Sequence, residues 1–323
     1  MRNLFRRWLK FIVSAVLLVF LLTQVDLRAV LGALSDVKWV GVWVALMLFI
    51  AGVFIRAFRW QVLLQGINLA VPYRSLSSLY FVGSFFNTVL PTGFGGDAVK
   101  AAELAHASGR SGEAIGSVVT DRFLGIVALL SMGVLSLLVA GDWVNPRITW
   151  AITLLFAACL FGYWLLRKRW LVNRLVRLVP QRWREPILSF GRSLYNGLEG
   201  YSGRTLVLAM VVSLLFNMTW VAVNVALGWS LGIDVSLAQY LVFVPLVSLS
   251  LLVPSVGGLG VRELTYVGLF GLIGVPEERA FALGILIYAV TFAVGLIGGI
   301  IYLLQGAHGP RGERQPQPTA VDR

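Results

Sequence analysis

Charged residues recur at helical spacing in stretches that are otherwise apolar. Asp97, Lys100 and Glu103 stand three apart and so share one face of a helix. Asp121 and Arg122 follow near the start of the next long apolar run, and Arg262 with Glu263 sits in the second half of the chain. A charged side chain at membrane depth is costly enough to point to a site rather than to chance. The chemistry within reach is anion binding. Lys100 would meet a phosphate as a point charge, and Arg262 would meet it bidentately. The amides at a helix start near Asp97 would add their dipole, while Asp97 itself caps that helix. Asp121 should pair with a cation such as Lys100 or Arg122, and Arg122 can also snorkel to the inner headgroups.

Two glycine-rich turns adjoin these charges. The first reads Asn87-Thr88-Val89-Leu90-Pro91-Thr92-Gly93-Phe94-Gly95-Gly96-Asp97 and the second Pro254-Ser255-Val256-Gly257-Gly258-Leu259-Gly260. Pro91 and Pro254 end the helices that lead in, because proline lacks the amide hydrogen and restricts the residue before it. Gly95, Gly96, Gly257, Gly258 and Gly260 are read as turn residues that permit positive φ and close backbone approach. The first turn also fits a dinucleotide fingerprint, but no strand–helix unit surrounds it.

Little else suggests catalysis. Cys159 is the single cysteine, and His106 and His308 lie far apart. No cluster has metal-ligand spacing, no serine–histidine pair is recognisable, and neither metal nor cofactor is expected. The reading is therefore of a protein that is not an enzyme.

The positioning elements are membrane helices. Of 323 residues 58% are hydrophobic and 13% charged, and the mean hydropathy is +0.82. The net charge of +12 does not call for nucleic acid, since the basic residues crowd into the N-terminus, the loop Arg167 to Arg184 and the tail, as cytoplasmic loops do. Full spans are read at Trp8–Val25, Trp39–Phe58 (closed by Arg56 and Arg59 at the inner interface), Ala114–Ala140, Ile148–Leu166, Thr205–Trp229 and Ala280–Leu304. Leu76–Leu90 and Tyr240–Val253 are too short to cross comfortably. Each, with its glycine turn, is read as a re-entrant hairpin, the first dipping from inside and the second from outside. The expected fold is all-α: a polytopic membrane protein of about six full transmembrane helices plus two re-entrant helical hairpins in an inverted pseudo-repeat. One membrane domain covers 1–305, made of a first half 1–166, a basic amphipathic cytoplasmic linker 167–203 and a second half 204–305. Residues 306–323 read as a disordered cytoplasmic tail. Both termini are placed in the cytoplasm. Gly295 and Gly299 would allow close helix packing, including between copies of the chain.

Taken in order, the leucine–proline and Gly95-Gly96-Asp97 turn, Asp121-Arg122, and the proline followed by Gly257-Gly258-Leu259-Gly260-Val261-Arg262-Glu263 resemble the lysylphosphatidylglycerol synthase transmembrane family, also called flippase-like. The resemblance covers about Trp8 to Gln305. It implies a bacterial inner-membrane protein that moves or displays lipids with modified headgroups. The partner would be a membrane lipid: an anionic phospholipid, an aminoacylated lipid, a polyprenyl-linked sugar or a hopanoid. A second copy of the chain or a biosynthetic enzyme could also associate. The aminoacyl-transferase domain of the multiple-peptide-resistance proteins is absent, so lysyl transfer is not implied. Lys100 stands where arginine is common, and Val256 where a second proline is common. The competing expectation is an integral-membrane glycosyltransferase, or an accessory protein of polyprenyl-linked glycan or glycolipid synthesis, with Asp97 and Asp121 as its carboxylates.

Overall fold

A computed structural model describes residues 27–90, 95–140, 146–166, 200–251 and 258–306, together with Val144, Val253 and Ser255. Span Trp8–Val25, the body of the linker, the tail beyond 306, and the turn residues Pro91, Pro254 and Gly257 lie outside the described residues. Within them the chain is all helix, without a strand. The helices are α1 (Leu27–Ser35), α2 (Trp39–Gly66), α3 (Tyr73–Val89), α4 (Gly95–Ser108), α5 (Ser111–Ala140), α6 (Pro146–Leu166), α7 (Gly203–Ser230), α8 (Leu237–Ser250), α9 (Val261–Gly271) and α10 (Glu277–Gly306).

Four of these, α2, α5, α7 and α10, are long and apolar enough to cross a membrane. At ~1.5 Å per residue each exceeds the ~30 Å hydrocarbon slab. Their outward faces carry Trp43, Met47, Val211, Leu215 and Ile300, all exposed. A helix apolar on both its inner and outer faces belongs in lipid. Two shorter apolar stretches lie within α6 and α8 (Thr149–Gly162 and Leu237–Ser250).

Local chemistry sets the helix ends. The Ser202 side chain accepts the Thr205 amide at the start of α7. Ser236 and Gln239 form a reciprocal capping box that starts α8. Pro245 lies inside α8, where it deletes a rung of the helix ladder. Gly258 and Gly260 take φ of 84° and 82°, the left-handed region that glycine occupies at no cost. The Glu263 carboxylate then accepts the Gly260 amide at 2.6 Å and closes the start of α9.

The first glycine turn is built differently from the expectation. Gly95 and Gly96 are not turn residues of positive φ; they form the first turn of α4. Gly96 is required because the chain folds back on itself there. A methyl group at Gly96 would overlap the backbone of Gly83 on α3. Nor is the cap Asp97. The Asn87 side-chain oxygen accepts the Gly96 amide at 2.8 Å and ties the end of α3 to the start of α4.

Contacts between the halves are reciprocal. α2 lies along α7; α3 packs on α10, while α8 packs on α5; α4 packs on α5, while α9 packs on α10. Exchanging α2 with α7, α3 with α8, α4 with α9 and α5 with α10 maps this set of contacts onto itself. The α3–α10 contact rests on small residues: a methyl group at Gly298 would overlap the Phe81 carbonyl, and Gly299 faces the Phe85 ring. The Gly295/Gly299 face is therefore covered within the chain, which removes it as a surface for a second copy. The central core holds Trp60, Leu64, Leu227, Phe243, Tyr266 and Phe270, all buried. α1 adds Val30 against Phe281 of α10.

Candidate functional site

Five helices meet around two buried carboxylates. Asp121 on α5 receives Arg59 Nε of α2 at 2.7 Å, and the Tyr80 hydroxyl of α3 donates to its other oxygen. Arg59 also donates to Ser213 Oγ of α7 at 3.0 Å, so the network joins the two halves. Asp97 on α4 is paired with Lys100 at 2.8 Å and with Arg122 of α5. The Lys100 ammonium sits 3.9 Å from the centre of the Tyr80 ring, which links the two carboxylates through one aromatic.

The local sequence explains how these groups meet. Lys100 follows Asp97 by three residues, the spacing at which helical side chains touch. Gly83, opposite, leaves room for the Lys100 stem: an added methyl group there would lie 3.3 Å from it. Gly125, one turn along α5 from Asp121, leaves room for the Arg59 guanidinium in the same way, at 3.0 Å. Trp60 walls the site, its indole N–H donating to Ser117 Oγ and its ring edge-on to Tyr80.

A fourth cation completes the cluster. Arg56, one turn before Arg59, lies with its guanidinium carbon 4.8 Å from the Phe216 ring centre and 5.5 Å from that of Tyr80. Its Nε is buried and has no hydrogen-bond partner among the described residues. Among the described residues, Arg56, Arg59, Lys100 and Arg122 thus gather around Asp97 and Asp121. Arg59 lies about 10 Å inside the end of α2 and Asp121 about 15 Å inside the start of α5, by helix rise.

The structure brings Asp97, Lys100, Asp121 and Arg122 together as a group, with three corrections. The partner of Asp121 is Arg59, not Lys100 or Arg122. Arg59 is interior, not interfacial, because α2 continues through Val62, Leu63 and Leu64 to Gly66. Glu103 does not join the face; it is exposed while Asp97 and Lys100 are buried. Sequence reasoning missed Tyr80, Ser213 and the interior role of Arg56 and Arg59. The apolar residues that continue past Arg59 were the available signal.

In the second half Arg262 and Glu263 are buried at the start of α9, Arg262 lying 5.6 Å from the Tyr288 ring centre. Close by, Tyr266 donates its hydroxyl to Asn224 of α7, whose amide nitrogen donates to the Trp220 carbonyl. Among the described residues no group of histidine, cysteine, aspartate and glutamate could hold a metal ion.

The geometry is a charged core inside an apolar helical bundle. Over 328 aligned residues the chain is 22% identical to a UPF0104 membrane protein of Pyrococcus horikoshii, covering 92% of this chain and 97% of the relative. The family model for the lysylphosphatidylglycerol synthase TM region matches residues 7–299, which include every helix of the charged core and both glycine turns. On that match, spanning nearly all of its length, the chain belongs to the lysylphosphatidylglycerol synthase transmembrane-region family.

Proposed function

We propose that the protein is a lipid translocator of the plasma membrane, moving a phosphate-bearing or glycosylated headgroup across the bilayer. The carrying observation is Arg56, a cation with a buried Nε set among the rings of Phe49, Tyr80 and Phe216 beside the ion pairs of Asp97 and Asp121. In a low-dielectric setting an unbalanced charge is expensive unless an anion joins it. A lipid phosphate supplies that anion, and its chains stay in the surrounding hydrocarbon. Arg56 is the cation placed to receive it, since rings rather than a carboxylate surround it. In this reading α3–α4 and α8–α9 are re-entrant hairpins of an inverted repeat, and six spans complete the bundle. The reciprocal contacts of the halves support that arrangement, which recurs in transporters.

A glycosyltransferase needs a carboxylate ready to act on a substrate. Asp97 and Asp121 are both spent on cations, which favours translocation over transfer. The test is reconstitution into liposomes with headgroup-labelled phospholipids and glycolipids. Accelerated exchange between leaflets for at least one anionic lipid, reduced in Arg56→Gln, is the expected result. No acceleration across the panel rejects the proposal.

A further inference from the structure

A groove of about 580 Å³ opens between α2, α7 and α8, lined by Gly41, Val44, Ala222, Val225, Trp229 and Leu241 among others. One end, at Leu48, lies about 12 Å from Arg56 along α2, by helix rise. Lys38, at its other end, and Arg56 are separated by about 27 Å along α2, by helix rise. The floor is tight: a Cβ at Gly41 would lie 2.7 Å from the Ala226 carbonyl oxygen. The sides open outward through Val44 and Trp229, both about half exposed.

One end of this apolar groove is charged. The Lys38 ammonium lies 4.8 Å from the centre of the Trp229 ring. The Lys38 amide donates to the Ser230 carbonyl at 3.0 Å, which fixes the lysine to the end of α7. Lys38 is exposed and makes no ion pair among the described residues. A tryptophan with an adjacent lysine is the pairing that sits at headgroup level, apolar body below and charge above. An apolar channel about as long as α2 from Lys38 to Leu48, roughly 15 Å, matches a single hydrocarbon chain.

We propose that this groove binds a bilayer lipid with an anionic headgroup, the chain lying between α2 and α7 and the headgroup meeting Lys38. The site lies at the end of α2 opposite Arg56. If translocation operates, this is where an arriving headgroup is received. The binding itself stands without transport.

The probe is phosphatidylglycerol or phosphatidylcholine with dibrominated chains, titrated into vesicles holding the full chain. The Trp229 signal is the difference between the parent protein and Trp229→Phe. Phosphatidylglycerol should quench that signal at a two- to fivefold lower mole fraction than phosphatidylcholine, about what one exposed ion pair supplies. Lys38→Gln should remove the preference but keep the quenching. Ala222→Phe, which fills the groove, should weaken quenching by both lipids. Equal quenching by both lipids in the parent protein overturns the proposal, as does a preference that survives Lys38→Gln. Absence of quenching by either lipid also overturns it. Leaflet exchange measured on the same vesicles separates this result from the translocator reading: binding without exchange sinks only the latter.

Discussion

Asp121 carries the most testable consequence of the charged core. It accepts from Arg59 at 2.7 Å and from Tyr80, and the Arg59 and Asp121 side chains are 5% and 3% exposed. Replacing Asp121 with leucine removes both acceptors and leaves the Arg59 guanidinium buried without its carboxylate. Breaking a buried pair on one side costs about 3–5 kcal/mol, and the orphaned Tyr80 hydroxyl adds about 1–3 kcal/mol. Asn keeps an acceptor and loses only the charge, so Asp121→Asn should fall below Asp121→Leu in cost. The double variant Arg59→Met, Asp121→Leu removes the charge as well and should recover most of the loss, since buried pairs are often replaceable by apolar groups. The assay is reversible unfolding in mixed micelles, monitored by tryptophan fluorescence, for all four members of the cycle. The pair's share alone, about 3–5 kcal/mol, changes the folded-to-unfolded ratio roughly 150- to 5,000-fold, well above experimental scatter. The reasoning is refuted if Asp121→Leu unfolds within 1 kcal/mol of the parent, or if the double variant is no more stable than the single one.

Other predictions follow from the same structure. Gly96→Ala and Gly298→Ala each force backbones apart and should cost about 1–3 kcal/mol or more, read as lower unfolding midpoints, whereas Gly268→Ala, inside α9 with open space around it, should not lower the midpoint. Glu263→Gln keeps the bond to the Gly260 amide and should leave stability within about 1 kcal/mol, while Glu263→Ala should cost about 1.5–3 kcal/mol; equal losses would contradict the capping role. Arg56→Gln should slow exchange of an anionic lipid in liposomes by about 10- to 150-fold, the worth of a charged hydrogen bond, with an unfolding midpoint near that of the parent. An unchanged rate would remove Arg56 from the path.

Much of the charged core could be read from residue type alone. Asp97, Lys100, Asp121 and Arg122 stand out because charge is rare in this chain, and rarity at membrane depth signals a site. Their partners were harder to see. Arg59 lies 62 positions from Asp121 in sequence, so no local spacing could have announced the pair. Its position near the end of an apolar run invited an interfacial reading, and the shorter run to Phe58 concealed how far α2 continues. Tyr80 and Ser213 are ordinary residues until the fold brings them to a carboxylate and a guanidinium. The glycines were recognised as special, but for two different reasons. At Gly258 and Gly260 the reason is backbone dihedral, which the proline and glycine string shows locally. At Gly96 it is proximity to Gly83, which depends on how α3 and α4 close upon one another.

The reciprocal contacts carry a consequence for how such a molecule is made. The wall behind α3 is α10, and the wall behind α8 is α5, so each half supplies the surface that the other leans on. During synthesis α3 and α4 emerge long before α10 exists, and they must wait in the membrane without their support. Asn87, clamped to the Gly96 amide within the same hairpin, is one contact they can make while waiting. A polypeptide holding a single half would lack its wall altogether, unless two such pieces met and each lent the other what it was missing.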